Sequence, residues 1–181
     1  MFKATPPSPS DDIFVKSLMD IADMLAFWGK SLQDFNLPIS PTMSSIDIST
    51  REYLFETAYD KDKLMNRCLI KCNKFNKDQQ KVFKRIMDSV TNKCSQNFFY
   101  LNAPAGTGKT FLCNALLDAV RAKGHIALAC ATTGIASILL YGARTLHSRF
   151  KIPLVISENL HLKIEPTSTI ARLMRECKLL I

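Results

Sequence analysis

The 181-residue sequence has no apolar run long enough to cross a membrane, and its first ten residues lack the apolar core of a secretory signal. We therefore expect no membrane partner and an intracellular, reducing location, in which the six cysteines are free thiols. No second cysteine pair or nearby histidine completes a zinc site around Cys68, Cys72 and Cys94, so unrelated thiols are the favoured interpretation. The composition, 47% hydrophobic and 22% charged, is typical of a soluble globular protein with one core.

Acidic residues are scarce in the second part of the chain. Residues 71–181 carry 17 Lys/Arg against 6 Asp/Glu, a net charge of +11, whereas residues 1–70 carry 7 against 10, a net charge of −3. The basic part favours a polyanionic partner, although an ordinary solvated basic face would give the same count.

Residues 98–110 (FFYLNAPAGTGKT) have the pattern of a buried strand, a glycine-rich turn and a helix start. Backbone N–H groups around Gly106 and Gly108 can cradle phosphate oxygens, and the helix adds its own unpaired N–H groups and positive dipole end. Lys109 can neutralise the β- and γ-phosphates, and the Thr110 hydroxyl can bind Mg²⁺. We therefore predict a nucleoside triphosphate site in which Lys109 and Thr110 are catalytic and Thr110 is the metal ligand. The loop residues predicted to bind nucleotide are Ala103, Pro104, Ala105, Gly106, Thr107, Gly108, Lys109, Thr110 and Phe111.

Ala103 departs from the usual phosphate-loop pattern, which opens with glycine. Alanine can pack at this position, but it is strained at any positive φ that glycine adopts freely. A surface turn that merely contains Gly-Thr-Gly-Lys is the alternative interpretation. The strand pattern before the loop and the helix-forming residues after it favour phosphate binding.

Hydrophobic periodicity predicts an α/β fold with a mostly parallel sheet and helices on both faces. An N-terminal region, 1–72, is predicted to be helical and irregular, with a disordered start and a linker over 36–50, and a compact domain over 73–181 follows it. Helices are predicted over 11–28, 51–72, 109–122, 134–142 and 167–177 and after Asn76, and strands over 98–103, 125–131 and 178–181.

Three further segments identify a family resemblance: FNKDQQ at 75–80, ATTGIAS at 131–137 and GARTLHSRFKIP at 142–153. Together with the phosphate loop they resemble the petite-integration-frequency (Pif-type) DNA helicases of superfamily one, and most closely the helicase segments of Helitron-type transposons. The resemblance covers about residues 75–181. It implies the first RecA-like P-loop NTPase domain of an ATP-dependent, 5′-to-3′ DNA helicase. The implied cofactors are ATP and Mg²⁺, and the implied partner is single-stranded DNA. A monomer in the nucleus, serving DNA repair, recombination and telomere maintenance, is the corresponding expectation.

The resemblance also implies residue roles. Gln79 would read adenine, although Asn76 and Gln79 have the spacing of a helix capping box as well. Thr132, Thr133 and Gly134 would contact the DNA backbone, although Thr133 could simply cap a helix. A second DNA-contacting set would be His147, Ser148 and Phe150, near the basic residues Arg144, Arg149 and Lys151. A structural histidine and a core phenylalanine are the alternatives.

The expected Asp-Glu pair of this family, which holds Mg²⁺ through water and positions the attacking water, is missing before the sequence stops at Ile181. We therefore expect the chain to be an N-terminal helicase fragment that ends just before this pair. Such a fragment would bind ATP–Mg²⁺ with little turnover, because phosphoryl transfer depends on both acids of this pair. The alternative function is a catalytically inert relic that binds nucleotide or single-stranded DNA.

Overall fold

A computed structural model describes residues 32–38, 48–92, 97–150, 152 and 164–181, with six positions between residues 14 and 25. The chain forms two compact units, Met1–Arg51 and Glu52–Ile181. The predicted division at residue 72 stays a prediction, and the second unit includes residues 52–72. No helix in the described ranges is long and apolar enough to cross a bilayer.

The first unit is described only in part. The six described positions within the predicted 11–28 helix are helical, and Leu18 is buried there. A 3-10 helix spans Leu32–Phe35, and Asn36 ends it with a positive φ of 53°. The predicted disordered start and most of the predicted linker lie outside the described residues.

Most of the helices lie where helices are predicted, but the helix at Leu146–Phe150 lies where no helix is predicted, and the helix at Ile48–Thr57 begins within the predicted linker. The helices are α1 (Ile48–Thr57), α2 (Lys61–Cys72), α3 (Lys77–Asn92), α4 (Lys109–Ala122), α5 (Gly134–Ile138), α6 (Leu146–Phe150) and α7 (Thr169–Glu176). The predicted 51–72 helix is thus two helices, since Asp60 caps α2 by accepting a hydrogen bond from the Lys63 N–H group. The predicted 134–142 helix ends earlier, at Ile138.

The core is centred on α4, which packs against α2, α3 and the sheet. Its side chains Leu116, Leu117 and Val120 are at most 2% exposed. Phe75, which precedes α3, and Ile86 and Met87 within α3 belong to the same cluster. Burial of a helix on this many sides explains why the apolar positions of α4 extend around most of its circumference.

Within the described part of the chain, two short parallel sheets are present where a single sheet is predicted. Strand β1 (Ile126–Leu128) pairs with β4 (Cys177–Leu180), and β2 (Cys130–Ala131) pairs with β3 (Arg144–Thr145). The predicted 125–131 strand is interrupted at Ala129, and the last strand begins at Cys177 rather than at 178.

The predicted strand over 98–103 is wrong, since the structure assigns no strand to these residues. Phe98 and Tyr100 are 83% and 84% exposed. The run and β4 both line a groove of about 790 Å³. A strand is defined by backbone hydrogen bonds to a neighbouring strand, and this groove leaves the run without them.

Candidate functional site

The phosphate loop has the backbone shape that its glycines permit. Gly106 and Gly108 have φ of +76° and +84°, values that are strained for other residues. Ala103 does not have a positive φ, so alanine in place of the usual glycine causes no backbone strain there.

Lys109 bends back over this loop. Its Nζ donates to the carbonyl oxygens of Ala103, at 2.6 Å, and Pro104, at 2.7 Å. The Thr107 hydroxyl donates to the same Pro104 oxygen at 2.9 Å. The ammonium group therefore lies inside the loop and forms no ion pair with any described carboxylate, so a phosphate could take the place of the two carbonyls.

The N-terminus of α4 opens directly from the loop. Gly108 is its N-cap residue and supplies no side-chain hydrogen bond, and the first intrahelical bond runs from the Leu112 N–H group to the Gly108 carbonyl. The preceding N–H groups of the first turn remain available to an anion. Thr110 is exposed at this turn.

Gln79 contacts the phosphate loop and caps α3 at the same time. Its Oε1 accepts from the Asn76 N–H group at 3.1 Å, and its own N–H group donates to Asn76 Oδ1 at 2.8 Å, which is the capping box considered from the sequence. Its Nε2 donates to the Thr107 carbonyl at 3.0 Å. A Cβ on Gly108 would lie 2.6 Å from that Nε2, so only glycine allows the amide to approach so closely.

Phe111 is another predicted nucleotide contact, and its ring packs on Phe75 in an edge-to-face arrangement with the ring centroids 5.8 Å apart. Phe75 also stacks at a tilt on Phe83, at 5.4 Å. These rings join the first turn of α4 to α3, which places Gln79 beside the loop.

The two predicted DNA-contacting segments follow neighbouring strands. Cys130 pairs with Arg144 and Ala131 with Thr145, in parallel, so residues 132–134 and α6 leave the same edge of this sheet. Thr132, Thr133 and Gly134 are exposed. Thr133 is the N-cap of α5 and accepts from the Ala136 N–H group at 3.2 Å, so the capping role considered from the sequence is present.

The second segment is only partly accessible. His147 and Ser148 are half-buried, and Phe150 is 8% exposed in the core beside Leu128 and Leu173. Arg149, counted from the sequence among the basic residues near DNA, is 5% exposed and its Nη1 donates to Glu56 Oε1 at 2.5 Å. Its charge is therefore used inside the protein.

Sequence reasoning missed a buried polar face on α4. Asn114, Asp118 and Arg121 are at most 6% exposed and follow each other at helical spacing. Asn114 donates to the Leu139 carbonyl at 2.9 Å and accepts from the Tyr141 N–H group at 2.8 Å, which ties the phosphate-loop helix to the end of α5. Polar residues recurring every three or four positions within an apolar helix were the available signal.

Asp118 forms a buried ion pair with α2. It accepts from Arg67 Nε at 2.9 Å and from Lys71 Nζ at 2.5 Å. The Tyr141 ring lies 4.1 Å from the Arg67 guanidinium and 4.3 Å from Lys71 Nζ. This network fixes α2 against α4, although α2 is distant from the phosphate loop in the sequence.

Glu176, the last residue of α7, is a carboxylate with two hydrogen-bond partners. Glu176 accepts from the Tyr53 hydroxyl at 2.6 Å and from Arg172 Nε at 2.9 Å. These two hydrogen bonds hold the pKa of Glu176 below its usual value. No group of three His, Cys, Asp or Glu suited to a metal occurs among the described residues.

Comparison with known proteins completes this picture. A search of curated proteins found no match. The model of one family, described as PIF1-like helicase, matches residues 74–181, more than half of the chain. The match supports a helicase domain, with the nucleotide and nucleic-acid binding general to such enzymes. The chain belongs to the PIF1-like helicase family.

Proposed function

We propose that this chain is the nucleotide- and DNA-binding part of an ATP-dependent helicase that moves 5′-to-3′ on single-stranded DNA. The observation that carries the proposal is the loop at 103–110, where the Lys109 ammonium group is bound, among the described residues, by two carbonyl oxygens and no carboxylate, and where no side chain caps the first turn of α4. We also propose that the helicase segments are of the Helitron-transposon type. The protein is proposed to be a monomer and to be located in the nucleus.

The loop suits ATP with Mg²⁺. Gly106 and Gly108 both have a positive φ, and a Cβ on Gly108 would lie 2.6 Å from Gln79 Nε2, so the loop needs glycine at these positions to keep its shape. Lys109 would exchange its two carbonyl partners for phosphate oxygens, and the exposed Thr110 hydroxyl would bind Mg²⁺. Mg²⁺ would supply charge neutralisation on the phosphates. Gln79 would give up the Thr107 carbonyl to read adenine while Asn76 continues to orient it.

The edge of the sheet at which β2 and β3 end is suited to binding single-stranded DNA. The exposed hydroxyls of Thr132 and Thr133 and the backbone at Gly134 can bind phosphates without selecting bases. His147 and Ser148, on the neighbouring α6, would extend this contact. Phe150 would stack on a base only if it left the core, where it is 8% exposed.

Turnover requires a carboxylate that positions water, and three of the described acids are already bound to cations or to a hydroxyl group. Asp118 and Glu56 are buried in ion pairs, and Glu176 is bound to Tyr53 and Arg172. We therefore propose that residues 1–181 bind ATP–Mg²⁺ with little hydrolysis. The same observation favours the second candidate function, an inert module that binds nucleotide or single-stranded DNA.

Phosphate release from Mg²⁺–ATP, with and without oligo-dT, separates these functions when oligo-dT binding is followed by fluorescence anisotropy. The proposal predicts that the chain binds oligo-dT and releases phosphate no faster than Lys109→Ala, with circular dichroism confirming that both are folded. DNA-stimulated release that is lost in Lys109→Ala would contradict the proposed lack of turnover and would reveal a further catalytic acid. A folded chain that does not bind oligo-dT would contradict the helicase proposal.

A further inference from the structure

Glu56, on α1, is a buried carboxylate between two buried arginines. It is 4% exposed, and Arg121 and Arg149 are 2% and 5% exposed. Its Oε1 accepts from Arg149 Nη1 at 2.5 Å, and its Oε2 lies 3.7 Å from Arg121 Nη2. The Tyr59 hydroxyl donates to the same Oε2 at 3.2 Å. One acid on α1 thus neutralises a cation of α4 and a cation of α6.

The two arginines depend on Glu56 to different extents. Arg121 also donates to the Ala127 carbonyl at 2.8 and 3.1 Å and to the Tyr141 carbonyl at 2.6 Å. Among the described residues, Arg149 has one other carbonyl partner, Gly142, which accepts from Nη2 at 3.1 Å, and its side chain also interacts with the Cys130 thiol. Among the described residues its Nε is a buried nitrogen with no hydrogen-bond partner. Without Glu56, Arg121 would keep three hydrogen bonds to carbonyl oxygens, whereas the buried charge of Arg149 would keep one carbonyl partner and the Cys130 thiol among the described residues.

Such a charge is costly in the interior, because removing one member of a buried ion pair leaves the other uncompensated. The guanidinium would move toward water and take α6 with it, since Arg149 lies within this five-residue helix. His147 and Ser148 are on the same helix. Glu56 itself precedes the segment that matches the helicase family, which begins at residue 74.

We propose that Glu56 is a positioning residue that holds α6 against α4 and thereby sets the affinity of the chain for single-stranded DNA. The DNA part of this inference rests on the proposed function, and the placement of α6 does not. In this proposal α1 contributes to DNA binding, because it fixes α6, which bears His147 and Ser148, relative to α4, which begins at Lys109.

Hydrogen exchange of the full chain, read by mass spectrometry, tests the placement of α6. In Glu56→Gln the amides of residues 146–150 are expected to exchange at least about tenfold faster, with α2 and α4 keeping their protection. Asp118→Asn should give the reverse pattern, with faster exchange in α2 and little change in α6. Glu56→Asp, which keeps the charge, should restore part of the protection, and Asp62→Asn, an exposed acid on α2, should resemble wild type.

Unchanged exchange at 146–150 in Glu56→Gln would overturn the proposal, and so would a uniform increase over the whole second unit, which indicates a merely structural role. Equilibrium titration with oligo-dT tests the DNA part. Glu56→Gln should bind about tenfold more weakly while its affinity for Mg²⁺–ATP stays unchanged. Equal loss of both affinities would overturn the DNA part. A wild-type chain that binds no oligo-dT would overturn both the proposed function and the DNA part, and the exchange pattern would still decide the placement of α6.

Discussion

The glycines of the phosphate loop differ in what they require. Gly108 has φ +84° and would bring a Cβ to 2.6 Å from Gln79 Nε2, whereas Gly106 has φ +76° with open space around it. Gly134, at the start of α5, has neither a positive φ nor an atom within 4 Å of an added Cβ. The three positions therefore separate backbone strain from steric conflict.

We predict that alanine lowers the free energy of unfolding most at Gly108, less at Gly106 and not at Gly134. Gly106→Ala should cost about 1 kcal/mol through strain alone, and Gly108→Ala about 2 kcal/mol because Gln79 must also move. Gly134→Ala should be neutral or slightly stabilising. Urea unfolding of the three variants measures the order. Equal losses at Gly106 and Gly108 would show that the contact with Gln79 is not maintained.

The thiols near the core are predicted to be unreactive. Burial raises the pKa of Cys68 to about 12, assisted by the Cys72 thiol 3.8 Å away, and burial also raises the pKa of Cys113 and Cys177. Less thiolate at pH 8 means slow alkylation by iodoacetamide at these positions, with fast alkylation once urea unfolds the chain. A raised folded-state pKa gives stability that is present below the unfolded value and is lost as pH rises toward 12. Peptide mass mapping checks the rates, and fast native alkylation of Cys68 would contradict its burial.

The helices were more predictable than the strands. The periodicity of α3 and α4 was sufficient to place them, because a helix satisfies its backbone hydrogen bonds within its own sequence. The apolar run at 98–103 looked like a strand, but strand formation depends on a partner that no local pattern reveals. The capping role of Asn76 was also readable, since its bonds to Gln79 span only three residues.

The ion pair between α2 and α4 gives a prediction about how these helices hold together. Asp118→Asn should lower the free energy of unfolding by about 3 kcal/mol, because the buried Lys71 and the half-buried Arg67 lose their shared carboxylate. Asp78→Asn is the matched control, since Asp78 is 91% exposed and lies 3.8 Å from Lys81. The control should unfold at the same urea concentration as wild type. A neutral Asp118→Asn would mean that α2 is held by apolar contacts alone.

Long-range polar contacts were the part of the candidate site that the sequence could not give. Asp118 and Arg121 are ordinary charged residues until Lys71 and Glu56 are brought to them from distant positions in the chain. The same contacts change the interpretation of the net charge. Arg149 belongs to a predicted DNA-contacting segment, but it forms an ion pair with Glu56. Net charge counts such residues, and only the fold shows which of them face solvent.

The net charge of +11 over residues 71–181 nevertheless predicts salt-sensitive DNA binding. If the chain contacts about four phosphates, its affinity for oligo-dT should fall roughly 50-fold between 50 and 200 mM salt. Anisotropy titrations at several salt concentrations give the slope. An uncharged methylphosphonate oligonucleotide of the same length is the control and should show no slope. A salt-independent affinity for oligo-dT would contradict the proposed phosphate contacts.

The most direct test of the central claim is equilibrium binding of Mg²⁺–ATP to the full chain, measured by isothermal titration calorimetry beside Lys109→Ala. The account predicts one site, lost in Lys109→Ala and retained in Lys123→Ala, an exposed lysine just beyond the far end of the same helix. Hydrogen bonds to a charged group contribute about 1.5–3 kcal/mol, so Lys109→Ala should weaken the binding of Mg²⁺–ATP by at least roughly tenfold. A folded wild-type chain that does not bind Mg²⁺–ATP, or that binds it equally well without Lys109, would contradict the assignment of residues 103–110 as the nucleotide site.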